Sequence, residues 1–190
     1  MNLTSSYLIA LPWIAWCVYW QVASRGTKAV AYRESGASRA LHIVPLALAF
    51  VLLAVPWLPV SWLNVRFVPW AAWPFWLGAA LVVAGLLFAV WARVHLAANW
   101  SGTVTIKHDH ELVVDGPYRI VRNPMYTGLL IAIGGTAVWR GDLQGILAVA
   151  VAAGTLWRKL RVEERVLQKQ FGQAYEAYRR RVRALIPYVV

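Results

Sequence analysis

The chain alternates long apolar runs with short polar segments. Leu3 to Val22 is free of charge from end to end, Ala40 to roughly Pro59 forms a second run, and Trp70 to Ala92 a third. A helix that crosses a bilayer needs about 20 mostly apolar residues, so each of the three is long enough. A fourth apolar region, Met125 to Leu156, is interrupted only at Arg140-Gly141-Asp142. A polar, glycine-containing triplet between apolar arms predicts a tight helical hairpin. Its arms are about 15 residues each, short for full spans. From Leu160 onward, apolar or aromatic residues recur at Leu167, Phe171, Tyr175, Tyr178 and Val182. That is one face of an amphipathic helix, bent at Gly172, which would lie at the inner interface or pack over the cytosolic loop. The predicted fold is an all-α integral membrane protein. It has five transmembrane helices, the last two a tight hairpin, with a cytosolic loop and a C-terminal amphipathic helix. Residues 1–92 form a three-helix membrane scaffold, and residues 93–190 hold most of the polar groups.

Composition agrees with the pattern. Sixty per cent hydrophobic residues and 12 tryptophans among 190 residues exclude an ordinary soluble domain. Charge orients the helices. Basic residues concentrate in segments 24–39 and 93–124 and beyond Trp157, whereas Arg66 and Arg140 fall on the other side. The positive-inside rule then places the N-terminus outside and the C-terminus in the cytoplasm. Trp57, Trp62, Trp70, Trp73 and Trp139 would form an outer aromatic belt. The net charge of +11 is therefore mostly topology, and the basic tail fits anionic lipid headgroups rather than nucleic acid. Cys17 is the only cysteine, which excludes a disulfide framework. A cleavable leader is not expected, and a bacterial inner membrane is the expected location.

The polar stretch His110 to Gly128 lies beside the bilayer and carries the candidate chemistry. Asp115-Gly116-Pro117-Tyr118 reads as a turn. In Arg122-Asn123-Pro124, asparagine is a favoured N-cap and proline a favoured first helical residue, so a helix should start at Pro124. Its free N–H groups beside Arg122 would suit a carboxylate or phosphate. Arg93 and His95, at the inner end of the third run, read as snorkelling and interfacial hydrogen bonding. Thr103 to Ile106 is β-prone. His108 and His110 lack the further ligands that a metal site needs, so no metal is expected. Glu163 and Glu164 form an acidic pair in a basic stretch, and Lys159–Glu163 is an i,i+4 ion pair.

These motifs, H-x-L-V at 110–113, G-P-Y at 116–118, R-N-P-x-Y at 122–126 and E-E-x-x-L-x-x-x-F-G-x-x-Y-x-x-Y at 163–178, ending in Ile186-Pro187, occur in one order. They resemble the isoprenylcysteine carboxyl methyltransferase family and its phospholipid-methyltransferase relatives over roughly residues 91–187. The resemblance implies a membrane methyltransferase that uses S-adenosyl-L-methionine, and a Rossmann glycine fingerprint is absent from the chain. It implies cofactor contacts at His110, Leu112, Val113, Tyr118, Asn123, Pro124, Tyr126 and Glu163, with Thr103 as an upstream polar contact. Lys159, or Arg158 if the register shifts by one, would meet the methyl acceptor, with Arg122 nearby. Two residues depart from the pattern. Asn123 stands where eukaryotic members have histidine, and Lys159, where they have arginine, lacks the bidentate fork that suits a carboxylate.

The expected acceptor is lipophilic or prenylated, at best the carboxylate of an isoprenylcysteine-type thioether. Such a carboxylate is already ionised at neutral pH and needs no base. N-methylation of a phospholipid amine or S-methylation of a thiol would need one, with Tyr118, Tyr126 and His110 as candidates. A nicotinamide-dependent membrane reductase and a non-catalytic membrane scaffold are the remaining alternatives.

Overall fold

The computed structural model describes residues 3–26, 30–33, 35–56, 58–97, 105–107 and 112–187. Among the described residues six α-helices follow one another: α1 (Leu3–Ala23), α2 (Gly36–Ala54), α3 (Ala72–Leu96), α4 (Pro124–Arg140), α5 (Leu143–Phe171) and α6 (Gln173–Arg181). Strands β1 (Val30–Arg33) and β2 (Thr105–Lys107) pair antiparallel and tie the α1–α2 loop to the α3–α4 connection. The β-prone reading of 103–106 therefore holds at Thr105 and Ile106. By length and composition, α2 and α3 can each cross a membrane, and residues Tyr7–Ala23 of α1 form a shorter apolar helix. Their outward faces are apolar: Leu11, Ile14 and Val18 on α1, Val44 and Val51 on α2, and Trp76, Leu87 and Val94 on α3 are all exposed. A surface of that kind suits lipid rather than water. Trp62, Trp70 and Trp73 of the expected aromatic belt are exposed as well, while Trp57 lies outside the described residues.

Helices α3 and α4 run antiparallel in close contact. Gly85 faces Gly128 and Gly78 faces Gly135, each seven residues along its helix from the next. A Cβ on Gly78 would stand 2.6 Å from the carbonyl oxygen of Gly135, and one on Gly85 would press into that of Gly128. The two backbones touch, as small residues permit between membrane helices. Trp13 docks α1 on this pair, its indole N–H donating to Thr136 Oγ1 (3.1 Å).

The Arg140-Gly141-Asp142 break is a hairpin turn, as expected, but its polar side chains turn inward. Arg140 is buried and donates to the carbonyls of Leu53 (3.1 Å), Val55 (2.9 Å) and Pro56 (3.3 Å), which end α2 without intrahelical partners. Asp142 pairs with Arg140 at 2.8 Å and also caps α5 by accepting from Gly145 N–H (2.8 Å). Gly141, at φ +66°, makes the left-handed step between the two helices. Arg93 does not snorkel. It is buried and donates to Ala97 O (2.7 Å) and to Ala23 O, the last carbonyl of α1.

The fifth helix corrects the expected length. It does not stop near Leu156 but continues unbroken to Phe171, because residues 157–171 hold good helix formers and neither glycine nor proline. Gly172, at φ +51°, ends it and starts α6 at a new angle. The amphipathic face predicted from Leu160 is thus shared between two helices. Tyr175 and Tyr178 on α6 are buried against Ala92, Leu112, Val113 and Tyr118, so α6 packs over the loop side of the molecule.

Replacing Gly85 or Gly128 by leucine should force α3 and α4 apart. A loss of at least about 2 kcal/mol is expected, from overpacking of a site with no room. Leucine at Gly134 or Gly154, where a Cβ meets nothing within 4 Å, should be tolerated. Thermal unfolding of the four variants in detergent checks this, and equal midpoints would refute the seam.

Candidate functional site

The site is assembled where α3 ends, α4 begins beside the C-terminal segment and α5 passes close to both. Gly116-Pro117-Tyr118-Arg119 forms a 3-10 turn whose glycine sits at φ +52°. Gly116 lies on the ring of His95, close enough that a Cβ would collide with the imidazole. His95 in turn bonds the Trp91 carbonyl through Nδ1 (3.1 Å). The D-G-P-Y turn is therefore held against the last turn of α3 by a glycine that nothing larger can replace. Tyr118 follows it inward, buried, its hydroxyl directed at Ala92 O (3.4 Å) and its carbonyl accepting from Tyr178 Oη (2.7 Å).

Helix α4 starts at Pro124, as the sequence predicts, but the asparagine before it does not cap it. The Asn123 side chain makes no capping hydrogen bond and instead donates from Nδ2 to Ala184 O (3.3 Å). The reason is the C-terminal segment 182–187, which runs alongside. Arg122 N–H donates to Arg183 O (2.7 Å), Asn123 N–H to Ala184 O (3.0 Å), and Thr127 Oγ1 to Leu185 O (2.7 Å). The tail is thereby laid against the two residues that precede the helix start. Arg122 is equally engaged. Its Nε and Nη2 hold Glu164 Oε1 at 2.8 and 2.7 Å, and its Nη1 donates to the carbonyls of Arg179 and Val182.

One turn into α4, Tyr126 donates its hydroxyl to Glu163 Oε1 of α5 at 2.6 Å. The same oxygen lies 3.7 Å from Lys159 Nζ, and that ammonium stands 5.3 Å from the centre of the Tyr126 ring. The Lys159 and Glu163 side chains are 13% and 23% exposed, so this is a half-sheltered cluster rather than a surface ion pair. A carboxylate, a phenol and an aromatic face already in contact with a cation form a surface that can receive another cation or a hydroxyl-bearing ligand.

Of the other expected site residues, Pro124 is buried at the start of α4, and Leu112 and Val113 pack with Tyr118 and Tyr175. Arg158 faces away from the cluster, across α5, toward Ser38 and His42 of α2. Its guanidinium donates to Ser38 O and Ser38 Oγ, each at 3.3 Å, and lies 3.5 Å from His42 Nδ1. Thr103 and His110 lie outside the described residues, as does His108. Sequence reasoning marks Glu164 as half of an acidic pair and Tyr175 as part of an apolar face, but assigns neither to the site. The signal was there: the second acid of an E-E pair lies one helical step from the first, so it must face another side of α5 and needs its own cation.

Burial raises the Tyr118 phenol well above its ordinary value of 10.0, and raises Tyr175 and Tyr178 as well. Because ionisation of these three is deferred in the folded protein, their contribution to stability is complete below about pH 10. It is lost as pH rises beyond that, where the unfolded chain releases those protons and the folded one does not. Phenolate absorbance should show three of the eight tyrosines ionising only as the protein unfolds, and a smooth titration of all eight near pH 10 would contradict the burial. Gly116→Ala faces both a positive φ and the His95 ring. It should cost about 2 kcal/mol or more in thermal unfolding, with His95→Ala as a second change relieving part of the loss.

Comparison with known proteins fits this geometry. The family model for phospholipid methyltransferases matches residues 73–174, a segment that runs from α3 into α6. The chain is 28% identical over 135 residues to protein-S-isoprenylcysteine O-methyltransferase B of Arabidopsis thaliana, covering 66% of this chain and 67% of that one. It is 29% identical over 120 residues to the probable protein-S-isoprenylcysteine O-methyltransferase of Oryza sativa, covering 60% and 61%. The Schizosaccharomyces pombe protein-S-isoprenylcysteine O-methyltransferase is 35% identical over 104 residues, covering 52% and 43%. The matched segments thus span from two thirds to less than half of these relatives. With more than half of its residues matched by the family model, the chain belongs to the phospholipid methyltransferase family and groups there with the isoprenylcysteine O-methyltransferases.

Proposed function

We propose that this protein is an integral membrane methyltransferase. It moves a methyl group from S-adenosyl-L-methionine to the carboxylate of a lipophilic, isoprenylcysteine-type acceptor. The observation that carries the reading is the contact of Tyr126, Glu163 and Lys159 across α4 and α5, within the segment that the family model matches. The donor set suits the cofactor. Glu163 can accept from an ammonium or a ribose hydroxyl, and the Tyr126 face, which already lies near a cation, can support a sulfonium. Tyr118, Asn123 and Pro124, together with Leu112 and Val113, which pack with Tyr118, are the further cofactor contacts in this reading, as are Thr103 and His110, which lie outside the described residues.

The cofactor supplies an activated methyl group, so the residues need only align the acceptor and exclude water. Lys159 is the cation for the acceptor carboxylate, in preference to Arg158, whose guanidinium is held by α2. Arg122 acts behind the site rather than in it. A carboxylate acceptor is favoured over a phospholipid amine on one further ground. An amine must lose a proton, and burial favours the neutral Tyr118 phenol, which leaves Tyr126 and His110 as the candidates for a base. The family's name keeps phospholipid N-methylation as the second reading. Five spans, with the N-terminus outside and the site on the cytosolic face beside the basic tail, agree with the charge distribution. A prenylated substrate would enter from the lipid, and the cofactor from the water.

Calorimetric titration of the detergent-purified protein with S-adenosylhomocysteine, beside the nicotinamide dinucleotides, tests the reading. Micromolar binding of the homocysteine product is expected, weakened at least about tenfold by Glu163→Ala, the loss of one charge-assisted contact. A folded protein that ignores it, or that takes a nicotinamide instead, would overturn the methyltransferase.

A further inference from the structure

Two adjacent acids on α5 have different surroundings. Glu163 reaches Tyr126, while Glu164 is buried against Arg122. Successive helical residues are about 100° apart, so the direction fixed for one side chain fixes the other. Arg122 is also the residue immediately before Asn123, and it holds the tail through the carbonyls of Arg179 and Val182. Tyr175, buried on α6, lies beside both members of the pair. Arg122–Glu164 thus joins the start of α4, the middle of α5, α6 and the C-terminal segment at a single buried point. That point lies one residue from Asn123 and one from Glu163.

We infer that Arg122 and Glu164 are positioning residues for the cofactor site, and that the C-terminal segment 182–187 is part of the machinery that holds it in register. The inference rests on the methyltransferase reading above. The pair sets the rotation of α5 that presents Glu163 to Tyr126. Through the Arg122 contacts to the tail it also keeps the Asn123 amide on Ala184 O and the segment packed beneath Tyr126, where Ala184 and Leu185 lie against Leu160.

The double variant Arg122→Met with Glu164→Leu separates positioning from stability. It removes both charges together and leaves no unpaired ion, a change that is often neutral for folding. Either substitution alone is avoided, because it would strand the partner's charge in a buried place. The expected result is a thermal midpoint near wild type, with S-adenosylhomocysteine binding at least about tenfold weaker, a raised KM for the cofactor and a smaller change in kcat. Faster proteolysis within 182–187 should accompany it. Wild-type affinity in the folded double variant would overturn the inference and leave the pair a purely structural feature. If wild type itself fails to bind S-adenosylhomocysteine, the inference falls together with the reading it rests on, which distinguishes the two failures. Should the double variant not fold, Arg122→Lys, which keeps the charge and loses the fork, and Tyr175→Phe, which removes one hydroxyl, decide the matter. Several-fold weaker binding in either supports positioning, and unchanged binding in both refutes it.

Discussion

Contact between the backbones of α3 and α4 is the constraint on which the rest is built. Two helices that meet through paired glycines cannot slide or rotate without a carbonyl meeting a carbonyl, so their relative height is set. With that height fixed, the inner end of α3 lies beside the start of α4, and the connection between them must fold back on itself. The G-P-Y turn is seated on His95 because of that geometry, and Tyr118 enters the small space left between Ala92 and α6. Helix α5 then packs on α2 and α4, bringing Glu163 to Tyr126. The glycines touch nothing catalytic, yet they determine where every polar group of the site stands.

A second regularity concerns helix ends. Backbone carbonyls without water are costly in an apolar medium, and here buried arginines satisfy them. Arg140 serves the end of α2, Arg93 the end of α1, and Arg122 the end of α6, each reaching across from a different helix or loop. A single guanidinium has five donors in a planar fork, which allows it to serve several carbonyls at once. Lysine, with three donors on one nitrogen, could not reproduce the spread of contacts at Arg140 and Arg122.

Much of this is legible in the sequence, because hydropathy has a simple physical origin. The apolar runs, the hairpin at Arg140-Gly141-Asp142, the helix start at Pro124 and the Lys159–Glu163 pair all follow from local pattern. What escapes depends on distant partners. Glycines within an apolar run carry no hydropathy signal, so the seven-residue spacing of Gly78 and Gly85, matched by Gly128 and Gly135, does not stand out. Asn123 has the composition of a cap, but the tail sixty residues away offers its amide a different acceptor. Arg122 looks free to meet an anion only until Glu164 is placed on the other side of α5. Helix α5 outruns its expected span since hydrophobicity ends near Trp157 while helical propensity does not.

The length of α5 has a consequence of its own. From Leu143, twenty residues of helix rise ~30 Å, about the thickness of a bilayer's hydrocarbon layer, and arrive at Glu163. In the proposed five-span arrangement the carboxylate would stand at the phase boundary itself, where oil gives way to water. A greasy reactant confined to one phase and a charged reactant confined to the other share only that plane. On that proposal the enzyme need not carry either partner far, since a helix of the right length would set the depth at which they meet.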